Sequence, residues 1–167
     1  MYMGAELNTK AKWLATWMGL GLSPKAPGTV GTLGAIPFAV VAVYALGQSM
    51  AYLLFVFAFF LFGTYICHLT EKSNLRHDSS EIVIDEVAGY LLAVTWLPNT
   101  WQTYVYAFVL FRVFDIIKPP PIKQIDKKIG GGFGVMADDM AAGIAANLIL
   151  QWLYYSTSVL GMQWPQM

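Results

Sequence analysis

Charge is what this 167-residue chain has least of: Asp, Glu, Lys and Arg make up 12% of it, ten residues of each sign, for a formal net charge of zero. That removes any bulk electrostatic case for nucleic-acid binding and makes the placement of the few charges the informative quantity. Cysteine occurs once, as Cys67 inside an apolar run, so no intramolecular disulfide can form and an inert buried thiol is expected. The N-terminus lacks the charged start, short apolar stretch and small-residue cleavage site of a secretory signal, so nothing is expected to be removed. What the chain has in excess is apolar surface. It is 57% hydrophobic and 15% aromatic, with mean hydropathy +0.53, the composition of an integral membrane protein.

The apolar residues fall into about five segments, predicting an all-α polytopic membrane bundle preceded by an N-terminal interfacial helix. Residues 1–28 read as an interfacial segment, with Trp13 and Trp17 beside Lys10 and Lys12 at headgroup level, followed by a loop that Pro24 and Pro27 keep from being helical. Residues 29–162 read as one helical bundle. Its segments are Thr29 to Leu46, Met50 to Leu69, Ile82 to Leu97, Trp101 to Ile117 and about Met140 to Met162, and residues 163–167 form a tail. The turns are Gly47-Gln48-Ser49 and Pro98-Asn99-Thr100, while Thr70 to Glu81 and the basic, proline-rich Lys118 to Gly134 are the longer connections.

Threaded up and down in that order, every charged residue falls on one side. The positive-inside rule makes that side cytoplasmic and the C-terminus external.

The same threading gathers acids. Asp85 and Glu86 open the third segment, Asp138 and Asp139 open the fifth, and Asp115 lies in the last turn of the fourth. An acidic pair at a helix start is ordinarily a cap that complements the macrodipole. Asp115 resists that explanation, because a negative charge is disfavoured at a helix C-terminus; a bland alternative pairs it with Arg112 or Lys118. Together the five acids predict a hard-cation site, and with no cysteine or histidine cluster the all-oxygen set selects Mg²⁺ or Mn²⁺ over Zn²⁺. His68 with Glu71, and His77 with Asp78, lie on the charged face and read as solvated or outer groups.

A phosphate cradle is expected beside the acids. Ser23 to Thr32 offers free amides at a helix start, the hydroxyls of Thr29 and Thr32, and the charge of Lys25. The rival reading makes Gly28, Gly31 and Gly34 close-packing positions between membrane helices. Acids, a cation, basic residues and an anion-accepting helix start at a lipid interface together point to a phosphate ester on a membrane-bound substrate, with Arg112, Lys25 and Lys118 offsetting the carboxylates' repulsion.

Five stretches carry a resemblance. Pro24-Lys25-Ala26-Pro27-Gly28-Thr29-Val30-Gly31-Thr32, Ile82-Val83-Ile84-Asp85-Glu86, Phe111 to Pro119, Pro121-Ile122 and Gly131 to Asp139 are similar, in the right order, to the motifs of the phosphatidylglycerophosphatase A family. The resemblance covers about Trp13 to Leu150. It implies a Mg²⁺-dependent lipid phosphatase of the bacterial inner membrane, multi-pass with its active site facing the cytoplasm, that hydrolyses phosphatidylglycerophosphate to phosphatidylglycerol and inorganic phosphate. It implies metal-binding or catalytic roles for Asp85, Glu86, Asp115, Asp138 and Asp139, and phosphate contacts for Lys25, Thr29, Thr32, Arg112 and Lys118. The partners implied are the lipid substrate and the membrane, with no nucleic acid and with room for a homo-oligomer. The chain lacks the patterns of vanadium-haloperoxidase-like lipid phosphatases and of CDP-alcohol phosphotransferases.

Two rivals stand beside this reading. One is a phosphatase of another membrane phosphate or diphosphate. The other is a non-enzymatic cation carrier, which should place acids near the midplane and show inverted repeats, whereas here the acids sit at one rim.

Overall fold

The computed structural model describes residues 2–71 and 81–161, with side chains from Thr9 onward except those of Glu71 and Asp126. His77 and Asp78, Lys72 and Arg76, and the tail 163–167 lie outside the described residues. Among the described residues seven α-helices follow in order: α1 (Tyr2–Ala15), α2 (Pro27–Leu46), α3 (Met50–Glu71), α4 (Ile84–Ala93), α5 (Trp101–Ile117), α6 (Ile122–Lys128) and α7 (Gly131–Ser156). A 3-10 turn, Leu20–Leu22, lies between α1 and α2, and there is no strand among the described residues.

Three of these helices, α2, α3 (over Met50–Thr70) and α7, are long and apolar enough to cross a bilayer. The expected count of about five apolar spanning segments is therefore not reproduced. At 1.5 Å per residue the 10-residue α4 rises only about 15 Å and the 17-residue α5 about 25 Å, against a hydrocarbon core of about 30 Å. The segment expected to run to Leu97 leaves the helix after Ala93. Its last carbonyls bond to side chains instead: Gln48 donates to Val94 O at 3.0 Å, Asn147 to Ala93 O at 3.0 Å and Thr95 O at 2.8 Å, and Gln151 to Thr95 O at 3.1 Å and Trp96 O at 3.0 Å. Gln48 Oε1 also accepts from the amide of Trp96 at 2.7 Å. A helix end inside a membrane protein leaves carbonyls that water cannot reach, and here three amide side chains take water's place.

The opposite correction applies to α7, which was expected to begin near Met140 with Asp138 and Asp139 at its mouth. It begins at Gly131, so both acids lie about two turns inside it. Gly132 and Gly134 have poor helix propensity, but packing overrides it. A Cβ on Gly132 would stand 2.6 Å from the amide nitrogen of His68 and 2.7 Å from the carbonyl of Thr64, and one on Gly134 would run into the carbonyl of Ile129. Small residues bring α7 against α3 as they do between membrane helices generally.

The contacts fix the directions. Glu86 meets Arg112 and Tyr90 Oη donates to Tyr104 O, so α4 and α5 are antiparallel. A Cβ on Gly89 would lie 2.6 Å from Asp139 O and one on Gly143 would strike Gly89 O, while Asn147 and Gln151 hold residues 93–96, so α4 and α7 run parallel. The starts of α2, α4 and α7 and the end of α5 consequently share one end of the bundle. Between the acids and the far end, residues 87–111 and 140–161 contain no Asp, Glu, Lys or Arg.

The N-terminal segment is less superficial than expected. Trp13 is exposed, but Trp17 is buried and packs edge-on against Phe38 and Phe59, with centroids 5.0 and 5.8 Å away. The carbonyl of Ala15 accepts from the amide of Val83 at 3.0 Å, and Lys12 pairs with Glu81 at 3.1 Å. The segment thus fixes the residues that lead into α4.

Candidate active site

Four helix ends build the site. Asp85 and Glu86 occupy the first turn of α4, Arg112 and Asp115 the last two turns of α5, and Asp138 and Asp139 the third turn of α7. The fourth is the start of α2, where Ala26 adopts a left-handed conformation and Pro27 opens the helix. Proline suits that position because its missing N–H would have had no partner there.

Arg112 is the hub. Its Nη1 donates to Glu86 Oε1 at 2.8 Å and to Asp115 Oδ2 at 2.6 Å. The i,i+3 pairing of Arg112 with Asp115, the bland alternative for that acid, is therefore present. Lys118 does not pair with Asp115 in that way; it caps α5 in a left-handed conformation and its Nζ donates to Asp138 Oδ2 at 2.6 Å. Pro119 forbids further helix, and the turn at Lys118 links the end of α5 to the acids of α7.

Asp138 and Asp139 are 5% and 3% exposed, too deep for a capping role. Asp139 Oδ2 and Glu86 Oε2 are buried with no hydrogen-bond partner among the described residues. An uncompensated buried carboxylate oxygen costs several kcal/mol, and a cation is the partner that offsets it. In α4, which is too short to span, burial raises Asp85 well above the usual carboxylate range, and the negative charge of Glu86 adds to this, with smaller contributions from Asp138 and Asp115. Burial pushes Glu86 up to about 7 against the opposing pull of Arg112. Acids held this close favour either protons or a metal among them.

As the side chains are placed, no three Asp, Glu, His or Cys residues among those described stand close enough to hold one ion. Glu86 and Asp115 are paired with Arg112, and Asp138 with Lys118. The oxygens without partners, Asp139 Oδ2 and Glu86 Oε2, are hard donors of the kind Mg²⁺ takes, so the donor chemistry fits that ion.

The cradle residues divide. A Cβ on Gly28 would collide with Glu86 Oε1 and lie 3.0 Å from Arg112 Nη1, so the first turn of α2, with the amides of Gly28 and Thr29 outside the intrahelical ladder, lies against the Glu86–Arg112 pair. Thr29 is half-buried there. Thr32 is fully buried and its hydroxyl donates to Gly28 O at 2.8 Å, back into its own helix. Lys25 is exposed on the preceding turn, where its carbonyl accepts from Ser23 Oγ at 3.0 Å, and no hydrogen bond or ion pair among the described residues ties it to the acids. Gly31 abuts Val83 and Glu86, and Gly34 abuts Leu20 and Trp17. The glycines therefore serve close packing, and at Gly28 and Gly31 the neighbour they admit is the site itself. His68 is exposed on α3.

Sequence reasoning missed the Lys118–Asp138 pair and the amide cluster of Gln48, Asn147 and Gln151. A signal for the cluster existed: Asn147 and Gln151 are i,i+4 on one face of an otherwise apolar helix, where polar side chains commonly hold helices together.

Comparison with known proteins supplies a frame for this geometry. A protein of Escherichia coli K12 named phosphatidylglycerophosphatase A is 40% identical over 164 residues, 96% of this chain and 90% of that protein. One of the same name from Haemophilus influenzae is 39% identical over 143 residues, 85% of this chain and 87% of that protein. A Bacteroides thetaiotaomicron protein, provisionally described as a phosphatidylinositol-3-phosphatase, is 36% identical over 82% of the chain. No solved structure matches. The profile of the phosphatidylglycerophosphatase A family matches residues 13–154, a stretch that contains every helix end of the site, and the chain belongs to that family.

Proposed function

We propose that this protein is a membrane-bound, Mg²⁺-dependent phosphatase that hydrolyses phosphatidylglycerophosphate to phosphatidylglycerol and inorganic phosphate during phospholipid synthesis. The relatives named phosphatidylglycerophosphatase A give the reaction class and substrate. The observation that carries the catalytic reading is two buried carboxylate oxygens without partners, one on Asp139 and one on Glu86, whose other oxygen is held by Arg112.

In this reading Asp85, Glu86, Asp115, Asp138 and Asp139 hold Mg²⁺. When bound, the ion supplies Lewis-acid polarisation of the phosphoryl oxygens and neutralises the field of the acids. Arg112 grips a phosphate oxygen by releasing part of its hold on Glu86 or Asp115, and Lys118 adds a second positive charge from the α7 side. The amides of Gly28 and Thr29, with the Thr29 hydroxyl, face the phosphate from the start of α2, and Lys25 draws the anionic headgroup in from the rim. Thr32 supports that turn through Gly28 O without touching substrate. The site lies at the charged end, so a lipid phosphate reaches it from the headgroup layer while its acyl chains stay among the exposed apolar residues of α2, α5 and α7. By the positive-inside rule that end faces the cytoplasm, in a bacterial inner membrane.

The test is phosphate release by the purified protein from phosphatidylglycerophosphate, phosphatidic acid and phosphatidylinositol 3-phosphate, each with and without Mg²⁺. Release from the first that vanishes on chelation is expected. Preference for phosphatidylinositol 3-phosphate would move the chain's substrate to that suggested by the Bacteroides relative.

A further inference from the structure

The acids of α4 and α7 meet only if the two helices hold a particular axial register. The contacts far from the site define that register. Asn147 bonds carbonyls 54 and 52 positions earlier, and Gln151 bonds carbonyls 56 and 55 positions earlier. Between them and the site, a Cβ on Gly143 would strike the carbonyl of Gly89. Counted back toward the heads of two parallel helices, an offset of about 54 residues sets Asp85 level with Asp139 and so brings the Asp85–Glu86 pair beside Asp138 and Asp139. The glycine contact lets α4 and α7 approach but has no directional bond to stop sliding, since small residues along a seam admit more than one register. The amides do have such bonds.

We propose that Asn147 and Gln151, aided by Gln48, are positioning residues: by gripping the unwound end of α4 they set its height on α7 and thereby align the two acidic pairs about 8 residues away. Gln48 adds a third strut from the α2–α3 turn, donating to Val94 O and accepting from Trp96 N. A slip by one helical turn would move the pairs about 5 Å apart along the axis, more than the first shell of a small cation tolerates. This inference rests on the proposed hydrolytic centre only for its consequence in rate; the register itself is a geometric property.

The experiment compares Asn147→Leu/Gln151→Leu with Thr100→Val. Thr100 caps α5 and bonds Leu160 O at 2.6 Å at the same end of the molecule, but lies outside the α4–α7 contact. It controls for destabilisation alone. Nitroxide labels at Glu81→Cys and the exposed Ile144→Cys, with Cys67→Ser, report the distance along the seam by double electron–electron resonance.

For the double variant we expect a distance distribution shifted or broadened by several Å, kcat on phosphatidylglycerophosphate lowered about 10- to 100-fold, and KM within about twofold of wild type. For Thr100→Val we expect a lower Tm with distance and kcat unaltered. If the double variant does not fold, Gln151→Leu alone, which keeps both bonds of Asn147, should show the same effects in smaller measure. An unchanged distance overturns the proposal, as does a changed distance with wild-type kcat. Wild-type protein that releases no phosphate from this lipid contradicts the functional reading instead, and the register claim then stands or falls on the distance.

Discussion

At the scale of single residues, Arg112 decides how the site is arranged, because one nitrogen of its guanidinium serves carboxylates on two helices. Arg112→Lys keeps the charge but loses the planar fork. It should lower kcat/KM by about 10- to 100-fold, as expected for one or two charge-assisted hydrogen bonds, with Tm lowered by only a few degrees. Steady-state kinetics and a melt on the same preparation check this. Asp139→Asn removes the charge from the buried carboxylate whose Oδ2 lacks a partner. If the oxygen awaits a cation, activity should fall by more than about 100-fold while Tm without Mg²⁺ holds or rises, because a costly buried charge has gone. Lys25→Ala and Thr29→Val test the cradle. A strong kinetic effect at both with unaltered Tm supports phosphate contact, and unaltered rates would return phosphate binding to Arg112 and the metal.

The residues that could be named from sequence were those whose chemistry is improbable in an apolar chain. Five acids in a chain with 12% charge are conspicuous. The side chains around them depend on rotamers that a sequence does not carry. Lys118 was legible as a cation near Asp115, yet the left-handed turn that sends it to Asp138 instead depends on packing beyond the motif. Thr32 was legible as a hydroxyl, but its place one turn after Gly28 lets it bond backward into the helix.

At the scale of elements, hydropathy located the apolar segments and misjudged two ends. It placed the α7 start too late because Gly131, Gly132 and Gly134 look like a loop, and only the close approach of Gly132 to α3 and of Gly134 to the carbonyl of Ile129 reveals why glycine is needed in a helix there. It placed the α4 end too late because Val94 to Leu97 is as apolar as what precedes it. The break is stabilised by Gln48, Asn147 and Gln151, which are distant in sequence. The α4–α7 seam yields its own prediction. Gly89→Ala would set a Cβ 2.6 Å from Asp139 O and 2.6 Å from Phe111, so α4 must move away from α5 and α7 together. A loss of about 1–3 kcal/mol is expected from overpacking, seen as a lower Tm, with activity falling as the acids separate. Gly47→Ala, at a turn where a Cβ would meet nothing but φ is +63°, should cost about 1 kcal/mol and leave kcat unchanged.

At the scale of the whole molecule, what was legible is the absence of Asp, Glu, Lys and Arg from residues 87–111 and 140–161, between the acids and the far end. The hairpin order follows from Gly47-Gln48-Ser49 and Pro98-Asn99-Thr100, and parallel α4 and α7 with antiparallel α5 bring the heads of the acidic helices to one end. The number of full spans was not legible, because an apolar segment can end inside a bundle when other side chains receive its carbonyls. A reporter fused after Gly161 should prove external if α7 crosses from the cytoplasm. A cytoplasmic reporter on an active protein would reverse the orientation.

The central claim is that acids from α4, α5 and α7 form one metal-dependent hydrolytic centre, and it is tested most directly by titrating Mg²⁺ against phosphate release from phosphatidylglycerophosphate. Wild type should be compared with Asp85→Asn, Asp115→Asn and Asp139→Asn in the same detergent or lipid. The account predicts saturable activation of the wild type and near-complete loss in all three variants that excess Mg²⁺ does not restore. Full activity in chelator, or near-normal rates in two of the three variants at ordinary Mg²⁺, would contradict it.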